Sequence, residues 1–242
     1  IILNKYLLYV FKSVNYFIFI TLMKQITAII PVRKGSQRVK NKNKKKFANS
    51  SLLEIKIKQL LELQKRNKIA EIIVSSDDQE MLDIAKKLGA IAHNRTEYYA
   101  SSKATNSEFF ENLAKTVGKE HWIMYSPVTS PLISIETYNE ILSNFQNNPK
   151  NIVTVSNVKH HLWKDGKPLN YNIKQSPNSQ DLPDIYSINY AISIIRRSDM
   201  IEYKNVVTDT PTFKILDEIE SIDIDTEFDF MVAELIYKKF KE

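Results

Sequence analysis

Eight lysines and arginines lie between Val32 and Lys46 with no acid among them: Arg33, Lys34, Arg38, Lys40, Lys42, Lys44, Lys45 and Lys46. Gly35 and Ser36 fall in the same stretch, where a backbone can approach a ligand closely and offer it N–H groups. Far along the chain, Asp223 and Asp225 stand two apart in SIDIDTEFDF. In an extended segment that spacing turns both carboxylates to one side, where they could face a hard divalent cation. The basic glycine-containing loop reads as a site for a compact polyanion such as a nucleoside triphosphate. Simpler readings compete with both. A run of charge is commonly a solvated loop, and Asp225 could cap the helix that follows it.

The elements around these residues give the loop a setting. Ile26, Ala28, Ile29 and Ile30 form a short apolar run that reads as a strand buried on both faces, ended by Pro31. Leu52–Arg66 carries Leu52, Ile55, Leu60 and Leu63 at helical spacing, with Ser50 or Ser51 as cap. Strand, loop and helix in that order place a ligand at the carboxyl edge of a parallel sheet. The alternation continues. Glu71–Val74 reads as a strand, Ser75–Asp78 as a loop, and Met81–Leu88 as a helix stopped by Gly89. Ala90–Ala92 is a third strand, Thr105–Val117 a helix, Trp122–Tyr125 a fourth strand and Glu136–Phe145 a helix. The loop Ser126–Pro131 is too rich in proline for helix. This order predicts a doubly wound, mostly parallel α/β sheet in one domain.

The pattern changes after Asn147. Ile152–Val158 and Ile185–Ile195 read as strands. The polar, proline-punctuated segment 159–184 between them is long enough to be an excursion covering a site or a partner subunit. Thr226–Phe240 closes the chain as an amphipathic helix, with Thr226 or Asp225 as cap.

Composition limits the remaining possibilities. The chain has 242 residues, 43% of them hydrophobic, enough for one packed domain. It has no cysteine, which excludes disulfides and thiolate metal sites and suits a cytoplasmic protein. Net charge is +6, yet outside the Val32–Lys46 loop residues 23–242 sum to about −4. The basicity is one local patch, unlike the broad basic face of a nucleic-acid binder. Residues 1–22 are apolar and aromatic but interrupted by Lys5 and Lys12. The expectation is that the fold starts at Met23 and that residues 1–22 are a dispensable upstream extension, with a membrane anchor as the alternative.

PVRKGSQRVKNKN, taken with SIDIDTEFDF, resembles the cytidylyltransferase family that includes CMP-sialic acid synthetase, over residues 23–242. The resemblance implies a nucleotidyl transfer. The anomeric hydroxyl of a sialic-acid-like nonulosonic sugar acid attacks the α-phosphorus of CTP, and pyrophosphate leaves. A different sugar acid such as a 3-deoxy-octulosonate, or a non-catalytic CTP-binding relative, are the alternatives. The family motifs carry Arg33, Gly35, Ser36, Lys42 and Asn43 over to the nucleotide, and Asp223 and Asp225 to Mg²⁺. Arg33 can fork two phosphate oxygens, and Lys42 can act as a point charge near the α-phosphate. Asn43 could read the base or form an Asx-turn. Asp77 could meet ribose or metal, or cap a helix.

On the acceptor side, IYSINYAISI and KHHLWK fall where the family binds its sugar acid, which implicates Tyr186, Asn189 and Lys164. Ser126, Ile133, Ser187 and Tyr190 replace the family's Gln, Arg, Arg and Gly. His160 and His161 are adjacent, so in extended chain they point to opposite faces and make no metal pair. The family also implies a homodimer formed through the 159–184 segment; Leu162 and Trp163, apolar residues in an otherwise polar stretch, are expected in its interface, with Trp163 packed on its own sheet as the alternative.

Overall fold

The computed structural model describes residues 25–36 and 38–241. The predicted extension 1–22 lies outside the described residues. A seven-stranded sheet runs through the centre. Its strands are β1 (Ile26–Pro31), β4 (Glu71–Ser76), β5 (Ile91–Asn94), β6 (Trp122–Tyr125), β7 (Ile152–Asn157), β10 (Tyr186–Arg196) and β11 (Thr212–Ile215). Their order is β11-β7-β10-β6-β1-β4-β5. β1 pairs in parallel with both β4 and β6, and β4 with β5. β7 and β11 are also parallel. Only β10 runs against its neighbours β6 and β7. The fold is thus a mostly parallel α/β sheet, as the strand–helix alternation predicts. Two short pairs lie outside it: β2 (Lys46–Phe47) with β3 (Ser50–Ser51), and β8 (Trp163–Lys164) with β9 (Lys167–Pro168).

Among the described residues seven α-helices accompany the strands: α1 (Leu52–Lys65), α2 (Gln79–Leu88), α3 (Glu97–Ala100), α4 (Asn106–Thr116), α5 (Ile135–Asn147), α6 (Arg197–Tyr203) and α7 (Glu227–Lys241). The two-residue period of the strands divides the core into two layers. Ile26, Ala28 and Ile30 of β1 enter a large cluster with Leu60 and Leu63 of α1, Tyr138 and Phe145 of α5, and Phe230 of α7. Ile29 of the same strand turns the other way, into a smaller cluster with Leu113 of α4 and Met200 of α6. Each fully buried leucine or isoleucine contributes about 1.5–3 kcal/mol over its exposed state, so β1 is fixed from both faces.

Local signals set the helix ends. Ser51 caps α1 by accepting from the Glu54 N–H. Thr105 and Glu108 form a reciprocal capping box at α4. Gly89 ends α2 at φ 93°, a left-handed conformation that glycine adopts without a Cβ penalty. Thr226 Oγ1 accepts from the Asp229 N–H, and Asp229 Oδ2 accepts from the Thr226 N–H. Thr226 therefore caps α7, and the Asp225 carboxylate is left for other work.

The segment 159–184 departs from the sheet through a closed neck. Lys159 pairs with Asp184 at 2.7 Å, and the Val158 N–H donates to the Ile185 carbonyl at 2.7 Å. Within it, Asp165 and Gly166 both take positive φ, 51° and 73°, in the two-residue turn that joins β8 to β9. Leu182 is buried, while Trp163, Leu169 and Ile173 are more than half exposed.

Candidate active site

A cleft of about 760 Å³ opens at the carboxyl ends of β1 and β6. Of the residues singled out in the sequence, it is lined by Arg33, Ser36, Lys42, Asn43, Asn189, Asp223 and Asp225. Gly35, Asp77, Lys164 and Tyr186 are not on its wall. Gly35 sits in the loop at φ 77° beside Ser36, with open space where a Cβ would be. Asp77 Oδ1 accepts the Lys34 N–H at 2.9 Å, which ties the loop after β4 to the loop after β1. The cap of α2 is Asp78, which accepts from the N–H groups of Glu80 and Met81. Lys164 lies exposed on the β8–β9 hairpin, and Tyr186 packs its ring against Phe213 at 5.5 Å.

The basic loop is solvated in large part, as its charge suggests: Arg33, Lys34, Arg38, Lys40 and Lys46 are exposed, yet several of its cations have definite partners. Arg38 forks Asp225 with two hydrogen bonds, of 3.0 and 2.7 Å. Lys44 pairs with Asp78 and with Glu80, and Lys45 with Glu227. Lys45 also lies 4.6 Å over the ring of Phe230. Arg33 reaches across the cleft mouth to donate to the Ala100 carbonyl. Asn43 is buried and donates to the Arg33 carbonyl at 3.2 Å, so it closes the loop on itself.

Lys42 and the two aspartates meet in the middle. Ile224 is fully buried, and its N–H donates to the Thr129 carbonyl at 2.9 Å. That anchor leaves its neighbours Asp223 and Asp225 both on the cleft wall, as the i, i+2 spacing predicts. Lys42 Nζ donates to the Ile224 carbonyl and lies 3.9 Å from Asp225. Burial pushes the Lys42 ammonium below the usual lysine range, against the pull of Asp225 and Asp223. Asp223 is reachable by water but enclosed by the concave wall. The lost solvation raises its pKa, as does Asp225, while a hydrogen bond with Thr129 opposes the shift. Among the described residues no cluster of three or more histidines, cysteines, aspartates or glutamates could hold a metal. The pair nonetheless offers hard oxygen donors for a divalent ion that takes its remaining ligands from phosphate and water.

Two residues important to the cleft are not evident from sequence pattern. Arg95, in a polar loop, is 4% exposed. Its guanidinium donates to the Val32 carbonyl and lies 5.1 Å over the Phe109 ring. Its Nε has no hydrogen-bond partner among the described residues, and burial lowers its pKa to about 10. A buried cation with an unused donor on a cleft wall is suited to an anionic or hydrogen-accepting ligand. An arginine just after a predicted strand end was the available signal. The second is Lys56, fully buried in α1. Its Nζ donates to the Ser130 carbonyl and to the Tyr138 hydroxyl, both at 2.9 Å. Tyr138 in turn meets Ser126 Oγ at 2.6 Å. Lys56 thereby holds both ends of the Ser126–Ser130 loop, whose Thr129 supports Asp223 and Ile224.

The fold and this cleft define a nucleotidyltransferase-type α/β protein: a phosphate-sized basic loop after the first strand, faced by a carboxylate pair. The family model described as cytidylyltransferase matches residues 27–232, and the chain belongs to that family. Among its relatives, the post-translational flagellin modification protein B of Campylobacter coli is 25% identical, covering 90% of this chain and 97% of that one. The CMP-N,N'-diacetyllegionaminic acid synthase of Legionella pneumophila is 27% identical, covering 90% and 98%. The solved CMP:2-keto-3-deoxy-manno-octonic acid synthetase in complex with CTP matches at a TM-score of 0.61 and 13% identity, over 89% of this chain and 99% of that one. The 4-diphosphocytidyl-2C-methyl-D-erythritol synthase of Anaerococcus prevotii matches at 0.67 and 16%, over 90% and 98%. At these identities the two structures speak for the fold alone.

Proposed function

We propose that this protein transfers CMP from CTP to a sialic-acid-like nonulosonic sugar acid and releases pyrophosphate. The observation that carries the reading is the convergence of Lys42, Asp223 and Asp225 in one cleft with the Arg33–Ser36 loop. The Legionella relative, a CMP-N,N'-diacetyllegionaminic acid synthase, supports the acceptor class. In this reading Arg33, Gly35, Ser36 and Lys42 bind the triphosphate. Cations there stabilise the charge that moves onto pyrophosphate as it leaves. Asn43 and Asp77 contribute on the nucleoside side, and Asn189, Lys164 and Tyr186 on the acceptor side.

Asp223 and Asp225 would hold Mg²⁺, which when bound neutralises phosphate charge and polarises the α-phosphate. Arg38 competes for Asp225 until a polyphosphate draws its guanidinium away. Lys164 and Tyr186 lie off the single-chain cleft, which favours a homodimer in which the 159–184 excursion reaches a second copy. Its exposed Trp163, Leu169 and Ile173 suit such an interface. Among the described residues no helix is long and apolar enough to cross a membrane. A reaction that consumes CTP fits a cytoplasmic setting.

The test is pyrophosphate release from CTP and Mg²⁺ with a panel of sugar acids, including N-acetylneuraminate and 3-deoxy-octulosonate. The expected result is release with a nonulosonic acid, lowered on the order of a hundredfold or more in Asp223→Asn and Asp225→Asn. CTP binding without release across the panel would instead identify a non-catalytic relative.

A further inference from the structure

Among the described residues six non-glycine positions have positive φ, and Tyr190, at 55°, is the one of these six that lines the cleft. An aromatic side chain rarely occupies that conformation, so something must hold it there. The surrounding strand does so. β10 and β7 stay in register through Ile188↔Val155 and resume at Ser193↔Val153, so residues 189–192 bulge opposite Thr154 alone. Asn189 uses its side chain to hold this bulge. Its Oδ1 accepts from Thr154 Oγ1 at 2.7 Å and from the Ala191 N–H at 3.2 Å, and its Nδ2 donates to Ser156 Oγ at 3.2 Å. Thr154 Oγ1 also accepts the Ile192 N–H. A bulge re-aims a side chain. Here the residue re-aimed is Tyr190, 38% exposed on the cleft wall near Tyr125. None of the described residues hydrogen-bonds its hydroxyl.

The sheet order determines which part of the cleft this is. Arg95 follows β5 and Asn43 contacts Met81 after β4, both on one side of β1. Ile224, between Asp223 and Asp225, is anchored to Thr129, after β6. β10 lies beyond β6, on the opposite side from β4 and β5. On the proposed function, on which this inference rests, the nucleoside occupies the β4–β5 side and the carboxylate pair marks the reacting phosphate. The remaining side, under Tyr190, is left for the acceptor.

We infer that Tyr190 is a specificity-determining residue. Its ring, held in the cleft by the Asn189–Thr154 bulge, forms an apolar wall that selects acceptors carrying an N-acyl methyl group over polyhydroxylated ones. The backbone tolerates an unfavourable conformation at this position because the side chain is needed in the cleft.

The experiment compares wild type with Tyr190→Gly, which suits the positive φ, and Tyr190→Phe, which keeps the ring. Saturation-transfer NMR of N-acetylneuraminate with CMP present reads contact without requiring turnover. The N-acetyl methyl should receive the strongest transfer in wild type and Tyr190→Phe, and lose that preference in Tyr190→Gly. In parallel, the kcat/KM ratio of N-acetylneuraminate to 3-deoxy-octulosonate should fall about tenfold in Tyr190→Gly, while KM for CTP holds. An unchanged methyl signal and ratio in Tyr190→Gly overturns the inference, as does a wild type that prefers the octulosonate. Absence of pyrophosphate release with every acid overturns the proposed function instead, and the NMR comparison still decides Tyr190.

Discussion

Replacing Lys56 with methionine should reverse the sign of its effect on stability as pH rises. Burial lowers the folded-state pKa of Lys56 from 10.5 to about 7. Between those values the unfolded chain holds more protons than the folded one, so wild-type stability rises with pH across that window. At 1.36 kcal/mol per unit, the burden of the buried amine is about 5 kcal/mol below pH 7 and vanishes above about pH 10.5. Methionine fills similar volume and removes that burden. It also leaves the Ser130 carbonyl without its Nζ donor, at a cost of about 1–3 kcal/mol. The variant should therefore be more stable than wild type by roughly 2–4 kcal/mol near pH 6 and less stable by about 1–3 near pH 10.5. The two curves then cross between about pH 8 and 10. Urea unfolding of both proteins at half-unit pH steps measures this directly. A constant difference across the range would mean that Lys56 titrates like a solvent-exposed lysine, and the argument would fail.

Three further outcomes follow from the packing. Gly118 has φ 67°, and a Cβ there would lie 2.7 Å from Thr27 Oγ1 and Glu71 Oε1. Gly118→Ala should cost roughly 2–4 kcal/mol by denaturant unfolding, and a loss under about 1 would show that the strand ends yield easily. Arg95→Met should raise KM for CTP about tenfold or more with a smaller effect on the acceptor's, since its guanidinium is a buried donor on the side proposed for the nucleoside; equal effects on both would contradict that placement. Light scattering should find a wild-type dimer that weakens in Trp163→Ala, and a monomeric wild type would remove the excursion's proposed role.

Much of the scaffold is visible in the sequence because its strands are buried on both faces. Ile26–Ile30, Glu71–Val74 and Trp122–Tyr125 are apolar runs that few other structures would tolerate. β11 is an edge strand with Phe213 and Ile215 exposed, so Thr212–Ile215 carries no such signal. α3 and α6 are too short for a helical period to emerge. The basic loop and the aspartate pair are recognisable as types, but their state of charge pairing is not. Arg38 meets Asp225 from 187 residues away, and local sequence cannot report such a contact. Lys56 looks like an ordinary polar position on a helix surface. Only the approach of Ser130 and Tyr138 turns it into an internal prop. The Asp77–Asp78 pair shows the limit of one-residue resolution: one caps the helix and the other grips a loop, and nothing nearby distinguishes them.

The stitching between the first loop and the last helix bears on the protein's synthesis. Lys42 with Ile224, Arg38 with Asp225, Lys45 with Glu227 and the Ala48 N–H with Glu234 all join residues made early to residues made late. The strands β1, β4, β5 and β6 can pair once residue 125 has emerged, so a ribosome-bound chain already owns four of the seven strands of its sheet. It does not yet own the whole cleft wall, because Asp223 and Asp225 arrive about a hundred residues later. On the proposed function, a chain broken off before Asp223 would be folded in part and without turnover; Lys44 would keep Asp78 and Glu80, while Arg38 and Lys45 would lack their acidic partners. On that reading, turnover in this protein is a report that translation has run at least past Asp225.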